Sequence, residues 1–393
     1  MTSSIAAQPQ LNERAKAAAP AFDFLDLKAQ FATIREDVLS AVARVLETQL
    51  FILGPEVKLL EEEIAEKLGA RFAVGCASGT DALILSLLAA GIGPGDEVIT
   101  SPFSFIATVG SIAHVGAKPV FVDIDPVSYN IDPNQIEAAI TPKTRAIMPV
   151  HLFGLPAELK PILQIAAARK LLVIEDAAQA IGSTYHNRPV GTHGDFGCFS
   201  FFPSKNLGGA GDGGLITTNS PEMADKLRML RVHGSKQKYF HEILGTNSRL
   251  DALQAAILRV KLRHLDAWAA GRRDRADRYR KLFSEADFTD FLSYPPTPPE
   301  RFLHVHNQFT IRCQQRDELK AFLSSKGAPS EIYYPLPLHL QPAFKFLGYH
   351  EGDMLNAEKA SHEVLSLPVF PELSDAQQDL VVQSLADFYR NRG

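Results

Sequence analysis

The chain has 393 residues, 46% of them hydrophobic and 22% charged, with a formal net charge of −5 at pH 7. This is the composition of a soluble globular protein large enough for an enzyme subunit with a smaller appended domain. The acidic balance argues against nucleic acid as a partner, and no window approaches the ~18 consecutive apolar residues of a membrane span. The isolated cysteines Cys76, Cys198 and Cys313 offer neither a disulfide framework nor metal-ligand spacing, so no metal is expected. Residues 1–21, rich in Ala, Gln and Pro without an apolar run, make a poor signal peptide. They predict a flexible tail, and the default location is cytoplasmic.

From Phe22 onward the chain is patterned. Residues 28–48 predict a helix, and a turn at Gly54-Pro55 leads into a second, amphipathic one with the EEE run at 61–63 on its solvated face. An alternation follows: FAVGCAS, EVITSP, PVFVDID, RAIMPVH and LLVIEDA as strands, with TDALILSLLAAG, FIATVGSIAHVG, NQIEAAI and ELKPILQIAAARK as helices between them. Short Val/Ile-rich runs separated by helices predict βαβ units, an α/β fold with a mostly parallel sheet. CFSFF and GLITT add two strands. RLDALQAAILRVKLRHLDAW then predicts one long helix, running on into the basic segment GRRDRADRYRKLF as a spacer between domains. Beyond it come a strand at HNQFTIRC, a helix at RDELKAFLSSKG, the Pro-rich EIYYPLPLHLQPAF and a closing helix. The expected division is a large domain over 22–265 and a small C-terminal α+β domain over 266–393.

In open α/β sheets ligands bind beyond the carboxyl ends of the strands. Four features of this sequence fall there. Ser78-Gly79-Thr80 opens a helix, where Gly79 and Thr80 read either as part of an ordinary cap or as donors to a phosphate. Asp176 ends a buried strand, as a second cap or as the acid that keeps a heterocyclic nitrogen protonated. Phe105 follows another strand end, either core or a stacking surface. Lys205, in FFPSKNLGG, sits between aromatics and glycines, where an apolar setting would free its lone pair for imine formation. Ser200 could add its hydroxyl to a phosphate. The run GGAGDGG leads into a strand with no helix after it, which excludes a dinucleotide or P-loop reading. Its glycines allow a tight backbone path beside a bulky ligand. A phosphate cradle, a stacking ring, an acid for a ring nitrogen and an imine-forming lysine together describe a site for pyridoxal phosphate.

With these residues in hand the chain resembles the DegT/DnrJ/StrS-type sugar-nucleotide aminotransferases, fold type I pyridoxal phosphate enzymes with a three-layer α/β/α large domain. The motifs are ILGPEV, ASGTDAL, GPGDEVIT, PVFVDID, VIEDAAQA, SFFPSKNLGG, GDGG, RVHG and NSRLDALQAAIL, in that order from Phe22 onward. The resemblance implies that Lys205 carries the cofactor and shuttles the proton and that Asp176 pairs with the ring nitrogen. Gln179, where many relatives have His, lies against the ring or its hydroxyl, and Gly79, Thr80 and Ser200 hold the phosphate. It further implies a homodimer with shared active sites, Asn247 and Arg249 reaching the site from the second subunit. Glutamate is the implied donor and a nucleotide-linked keto sugar the acceptor, aminated at C3 of a UDP- or dTDP-linked sugar. Tyr333, a departure from a histidine of some relatives, Tyr334 and His233 would face the substrate. Two alternatives stand beside this: a binding or regulatory protein on the same scaffold, and a fold type I enzyme with another substrate. A desulfurase would need a reactive cysteine on a mobile loop.

Overall fold

The computed structural model describes residues 21–390 apart from 287 and 289, so the tail expected over residues 1–21 lies outside the described residues except for Ala21. The chain opens with α1 (Leu27–Thr48) and α2 (Pro55–Leu68). The Asp26 carboxylate caps α1, accepting from Lys28 N at 3.0 Å and Ala29 N at 2.9 Å. α2 begins on Gly54-Pro55, where the N–H that proline lacks would have had no intrahelical partner. Its EEE run is not simply solvated. Glu61 pairs with the buried Arg231 and Glu63 with Arg259, leaving Glu62 as the exposed member.

The expected alternation follows as β1 (Phe72–Cys76), α3 (Gly79–Ala89), β2 (Glu97–Thr100), α4 (Ile106–His114), β3 (Lys118–Phe121), β4 (Thr144–Met148), α5 (Leu159–Arg169), β5 (Leu172–Asp176), β6 (Phe196–Ser200), β7 (Gly214–Thr218) and α6 (Pro221–Leu230). NQIEAAI forms only a 3-10 turn and the short Ile136–Ala139 segment rather than a full helix. One seven-stranded sheet results, in the order β1-β7-β6-β5-β4-β2-β3. Strands β6, β5, β4, β2 and β3 are parallel, and β7 runs antiparallel to both of its neighbours. Residues 201–213 carry no crossover helix, so β7 can only return antiparallel to β6.

Side chains alternate across this sheet and divide into separate cores. Val74, Val98, Ala146, Met148, Ile174, Phe196, Cys198 and Ile216 pack with α3 and α6 on one face. On the other, Ile99, Ile147 and Val173 pack against Ile162 and Ala166 of α5. Ala73, Phe199 and Leu215 there meet Ile34, Val38, Leu60 and Ile64 from α1 and α2. Period-two alternation with apolar residues on both faces makes this a three-layer α/β/α body.

The long helix expected over 249–283 is two, α7 (Ala252–Leu262) and α8 (Leu265–Ser284), with Arg263 and His264 as the caps between them. No glycine or proline marks the break, and His264 stacks on Trp268 with ring centroids 5.5 Å apart. The chain then builds β8 (Phe309–Cys313), α9 (Arg316–Ser325), α10 (Leu355–Glu363), β9 (Val364–Leu367) and α11 (Asp375–Arg390). β8 is the middle strand of a three-stranded antiparallel sheet, between Leu292–Ser293 and β9. This sheet buries Phe309, Ile311, Leu365 and Leu367 with Tyr279, Phe283, Val381 and Leu385 in a core of its own. α10 and β9 lie in a stretch for which the sequence reading named no element.

Candidate active site

A cavity of about 650 Å³ opens where β5 and β6 end and α3 and α4 begin. Gly79, Thr80, Phe105, Asp176, Gln179, Ser200, Lys205, Tyr333 and Tyr334 all line it. Residues separated by more than 250 positions thus converge on one space.

Ser78 caps α3, its hydroxyl accepting from Asp81 N at 3.0 Å. Gly79 and Thr80 present the first-turn amides that no intrahelical carbonyl reaches. A Cβ on Gly79 would stand 2.6 Å from the Ser200 Cβ, and one on Gly214 would stand 2.2 Å from the Ser78 carbonyl oxygen. Only glycine at both positions lets the helix start lie against the end of β6. Free amides, the positive end of a helix and a neighbouring hydroxyl form an anion cradle.

Asp176 closes β5 and is buried. One carboxylate oxygen accepts from the Thr108 hydroxyl at 2.7 Å and the other from Ala178 N at 3.2 Å. Burial raises its pKa above the ordinary carboxylate range, against the Thr108 and Ala178 hydrogen bonds and the nearby Lys205. No regular helix follows, which removes the helix-cap reading. This carboxylate would gain from a cationic partner in the cavity.

Lys205 is set by a turn in which its N–H donates to the Phe202 carbonyl at 2.8 Å and Gly209 N returns to the Phe201 carbonyl at 2.7 Å. A Cβ on Gly208 would lie 2.1 Å from the Pro203 carbonyl oxygen, so the turn closes on itself only with glycine. Asn206 Nδ2 ties the turn to the Val305 carbonyl at 3.0 Å, and the Lys261 ammonium donates to the Gly208 carbonyl. Among the described residues nothing hydrogen-bonds the Lys205 amine. Burial pushes its pKa down to about 8, with Asp176 opposing. A far larger fraction of this amine is therefore neutral near physiological pH than of an ordinary lysine, as a nucleophile requires.

Phe105, 56% exposed, starts α4 and lies on the cavity wall, its ring 6.5 Å from that of Tyr334. Gln179 bridges two elements: its Oε1 accepts from Phe153 N at 2.7 Å and its Nε2 donates to the Tyr334 hydroxyl at 3.0 Å. Burial raises the Tyr334 pKa, so the phenol stays protonated. Asn247, Arg249 and His233 do not line the cavity of this chain. Asn247 and His233 are exposed, and Arg249 is half-buried with its Nε lacking a hydrogen-bond partner.

The cavity also holds Ser104, Thr108, Asp212 and Gln308, which sequence reasoning missed. The serine and threonine of ITSPFSFIAT were legible only as helix-start residues, and Gln308 only as the start of a strand. The cysteines are all buried and free. Burial raises each thiol's pKa, Cys313 to about 12, so none offers the reactive thiolate of a desulfurase. Among the described residues no His, Cys, Asp and Glu cluster could hold a metal, and no helix is long and apolar enough to cross a membrane.

An anion cradle, a buried acid seeking a cation, an amine of lowered pKa and an exposed aromatic face fit pyridoxal phosphate in shape and in charge. Fold and site together define a pyridoxal phosphate-dependent transferase of fold type I. The family described as DegT/DnrJ/EryC1/StrS aminotransferase matches residues 32–386, and the chain belongs to it. It is 54% identical to the "Pleiotropic regulatory protein" of Geobacillus stearothermophilus, covering 93% of this chain and 98% of that one. It is 48% identical to the UDP-N-acetyl-3-dehydro-alpha-D-glucosamine 3-aminotransferase of Acidithiobacillus ferrooxidans, over 91% and 95% of the two chains. The solved structure of DesV from Streptomyces venezuelae in complex with a ketimine intermediate superposes with a TM-score of 0.91 at 42% identity, covering 94% of this chain and 99% of that one.

Proposed function

We propose that this enzyme transfers an amino group from glutamate to C3 of a UDP- or dTDP-linked 3-keto sugar, serving the synthesis of amino sugars for polysaccharide or glycosylated metabolites. The observation that carries this is the Lys205 amine, without a hydrogen-bond partner among the described residues and with its pKa lowered by burial, sharing one cavity with Asp176. Pyridoxal phosphate, when bound, supplies the sink for the electrons released as a carbon–hydrogen bond breaks. The buried Asp176 carboxyl would pair with the ring nitrogen and hold a proton there. Gly79, Thr80 and Ser200 would hold the phosphate, and Phe105 would lie against the ring. The neutral Lys205 amine takes the proton from the donor's α-carbon and returns a proton to the acceptor carbon in the reverse half-reaction. Tyr333 and Tyr334 orient the sugar, and the name of the Acidithiobacillus relative supports that substrate class.

The homodimer belongs to the same proposal. Among the described lining residues Lys205 is the only basic one, set against Asp176 and Asp212. A nucleoside diphosphate needs positive charge from elsewhere, and Arg249 from a second copy would supply it, with Asn247 beside the phosphate and His233 toward the sugar. The exposed Leu39, Leu46, Leu50 and Ile52 near α1 provide apolar surface for that contact. The same reading divides the chain into a cofactor-binding part over 22–265 and a smaller part over 266–393.

The test is to supply glutamate with a UDP- or dTDP-linked 3-keto sugar and follow 2-oxoglutarate and amino sugar together. Stoichiometric formation of both supports the proposal, and a cofactor-loaded protein that forms neither with either sugar contradicts it. A binding or regulatory role is the second reading, favoured by the name of the Geobacillus relative. It would be supported by retained cofactor without turnover.

A further inference from the structure

Asp176 does not stand alone at the end of β5. Its Oδ2 accepts from the Thr108 hydroxyl at 2.7 Å, and Thr108 Oγ1 lies 2.8 Å from Ser104 Oγ. All three residues are buried, and all three line the cavity. A threonine hydroxyl has one proton to give. Against an ionised Asp176 that proton goes to the carboxylate, so the bond between the hydroxyls must run from Ser104 to Thr108. The direction of the whole chain is thereby fixed: Ser104 donates to Thr108, and Thr108 donates to Asp176.

The placement is also economical in backbone. Ser104 and Phe105 precede α4, and Thr108 lies in its first turn, with Thr108 N donating to the Phe105 carbonyl at 3.1 Å. One five-residue segment therefore carries both the exposed aromatic on the cavity wall and the hydrogen bond to the acid on its floor. Ser111 Oγ donates to the Thr108 carbonyl at 3.0 Å, which steadies this turn. The remaining hydrogen bond to the carboxylate is the 3.2 Å contact from Ala178 N, leaving acceptor capacity on Asp176 for a ring N–H.

We propose that Ser104 and Thr108 form a one-way hydrogen-bond relay that orients Asp176 and keeps it ionised, so that the proton shared with the cofactor's ring nitrogen stays on the nitrogen. Thr108 is thus a positioning residue, acting through Asp176 on the strength of the electron sink. This rests on the proposed transaminase reading but concerns residues that reading does not use. The sign follows from the environment. Burial drives Asp176 toward its protonated form, and Thr108 is the leading influence in the opposite direction. Without the Thr108 hydroxyl the carboxyl becomes more basic and draws the shared proton to itself. The ring nitrogen is then the weaker cation and the sink is weaker with it.

The experiment compares holoenzyme carrying Thr108→Val, Thr108→Ser and Ser104→Ala with the unaltered protein. Two readouts are used: the pH titration of the bound cofactor's visible absorption, and the single-turnover rate with glutamate. The other charged or titratable groups lining the cavity, namely Lys205, Asp212, Tyr333 and Tyr334, are untouched in every variant. Thr108→Val should displace the titration midpoint and slow the single turnover by about ten-fold, the scale of one hydrogen bond to a charged group, with the glutamate half-saturation unchanged. Thr108→Ser, which keeps the hydroxyl, should behave as the unaltered protein. Ser104→Ala should move both readouts in the direction of Thr108→Val but by less. If Thr108→Val does not fold, the Ser104→Ala and Thr108→Ser pair carries the test. Unaltered titration and turnover in Thr108→Val, or in Ser104→Ala where that pair decides, would overturn the relay. Lack of any glutamate response in the unaltered holoenzyme would instead sink the transaminase reading.

Discussion

Glu175 and Asp176 are neighbours on β5, both carboxylates and both buried, yet they face opposite sides of the sheet and meet opposite fates. Glu175 turns away from the cavity and accepts from Gly191 N, His193 N and Gly194 N, each at 2.7 Å, and from the His151 ring at 3.0 Å. Burial alone would raise its pKa, but the His151 contact and the backbone donors prevail and hold it below the usual range. Asp176 faces the cavity with fewer donors, and burial wins there. A buried carboxylate whose acceptors are filled holds a fold together. One that is left short of donors is reserved for a ligand.

The largest expected effect concerns neither carboxylate. Lys205→Ala should abolish both half-reactions and the covalent attachment of cofactor, measured as lost turnover and lost visible absorption. Asp176→Asn should slow each half-reaction by about a hundred-fold or more, the range for removing a preorganised charge at a reacting centre. It should leave the cofactor-free protein as stable as before or more so, because a strained buried charge is gone. Glu175→Ala breaks the comparison from the other side. It should cost on the order of 3 kcal/mol or more of stability in chemical denaturation, since each buried N–H left unpaired costs ~1–3 kcal/mol.

The same contrast has a pH signature. With its folded pKa depressed, Glu175 contributes stability that is present above the unfolded carboxylate pKa and is lost as pH falls through the folded one. Asp176, with its pKa raised, works in the opposite direction and destabilises the cofactor-free fold once ionised. Denaturation midpoints of Glu175→Gln and Asp176→Asn against pH should therefore diverge with opposite slopes from the unaltered protein. Gly79→Ala is the smallest change. By pushing α3 from Ser200 it should weaken cofactor binding by about ten-fold, for an overpacking cost of ~1–3 kcal/mol.

Much of this was legible before any coordinates. The βαβ alternation, the lysine between aromatics and glycines and the acid at a strand end are local signals, each readable within a few residues. Nothing in the sequence around Glu175 marks it as a satisfied buried charge, because its donors at 191–194 and at His151 lie in other segments. Thr108 and Ser104 were hidden for the same reason, since a threonine in a first helical turn carries no mark of the carboxylate it serves. The break between α7 and α8 has no glycine, proline or polar run to announce it. Its buried positions continue from Leu262 to Leu265 and Trp268 as though the helix did. The half-buried Glu61 and Glu63 show the converse, a charge run whose partners on Arg231 and Arg259 appear only when the chain is folded.

The central claim is that a Lys205 amine of lowered pKa, facing Asp176, makes this cavity a site of amino transfer, and an absorbance spectrum tests it most directly. The purified protein is loaded with pyridoxal phosphate near pH 8, the value to which burial brings Lys205, and recorded before and after excess glutamate. The account predicts a visible band that collapses toward the pyridoxamine form, with one equivalent of 2-oxoglutarate released. A protein that develops no band with cofactor supplied, or a band that glutamate leaves untouched, would contradict it.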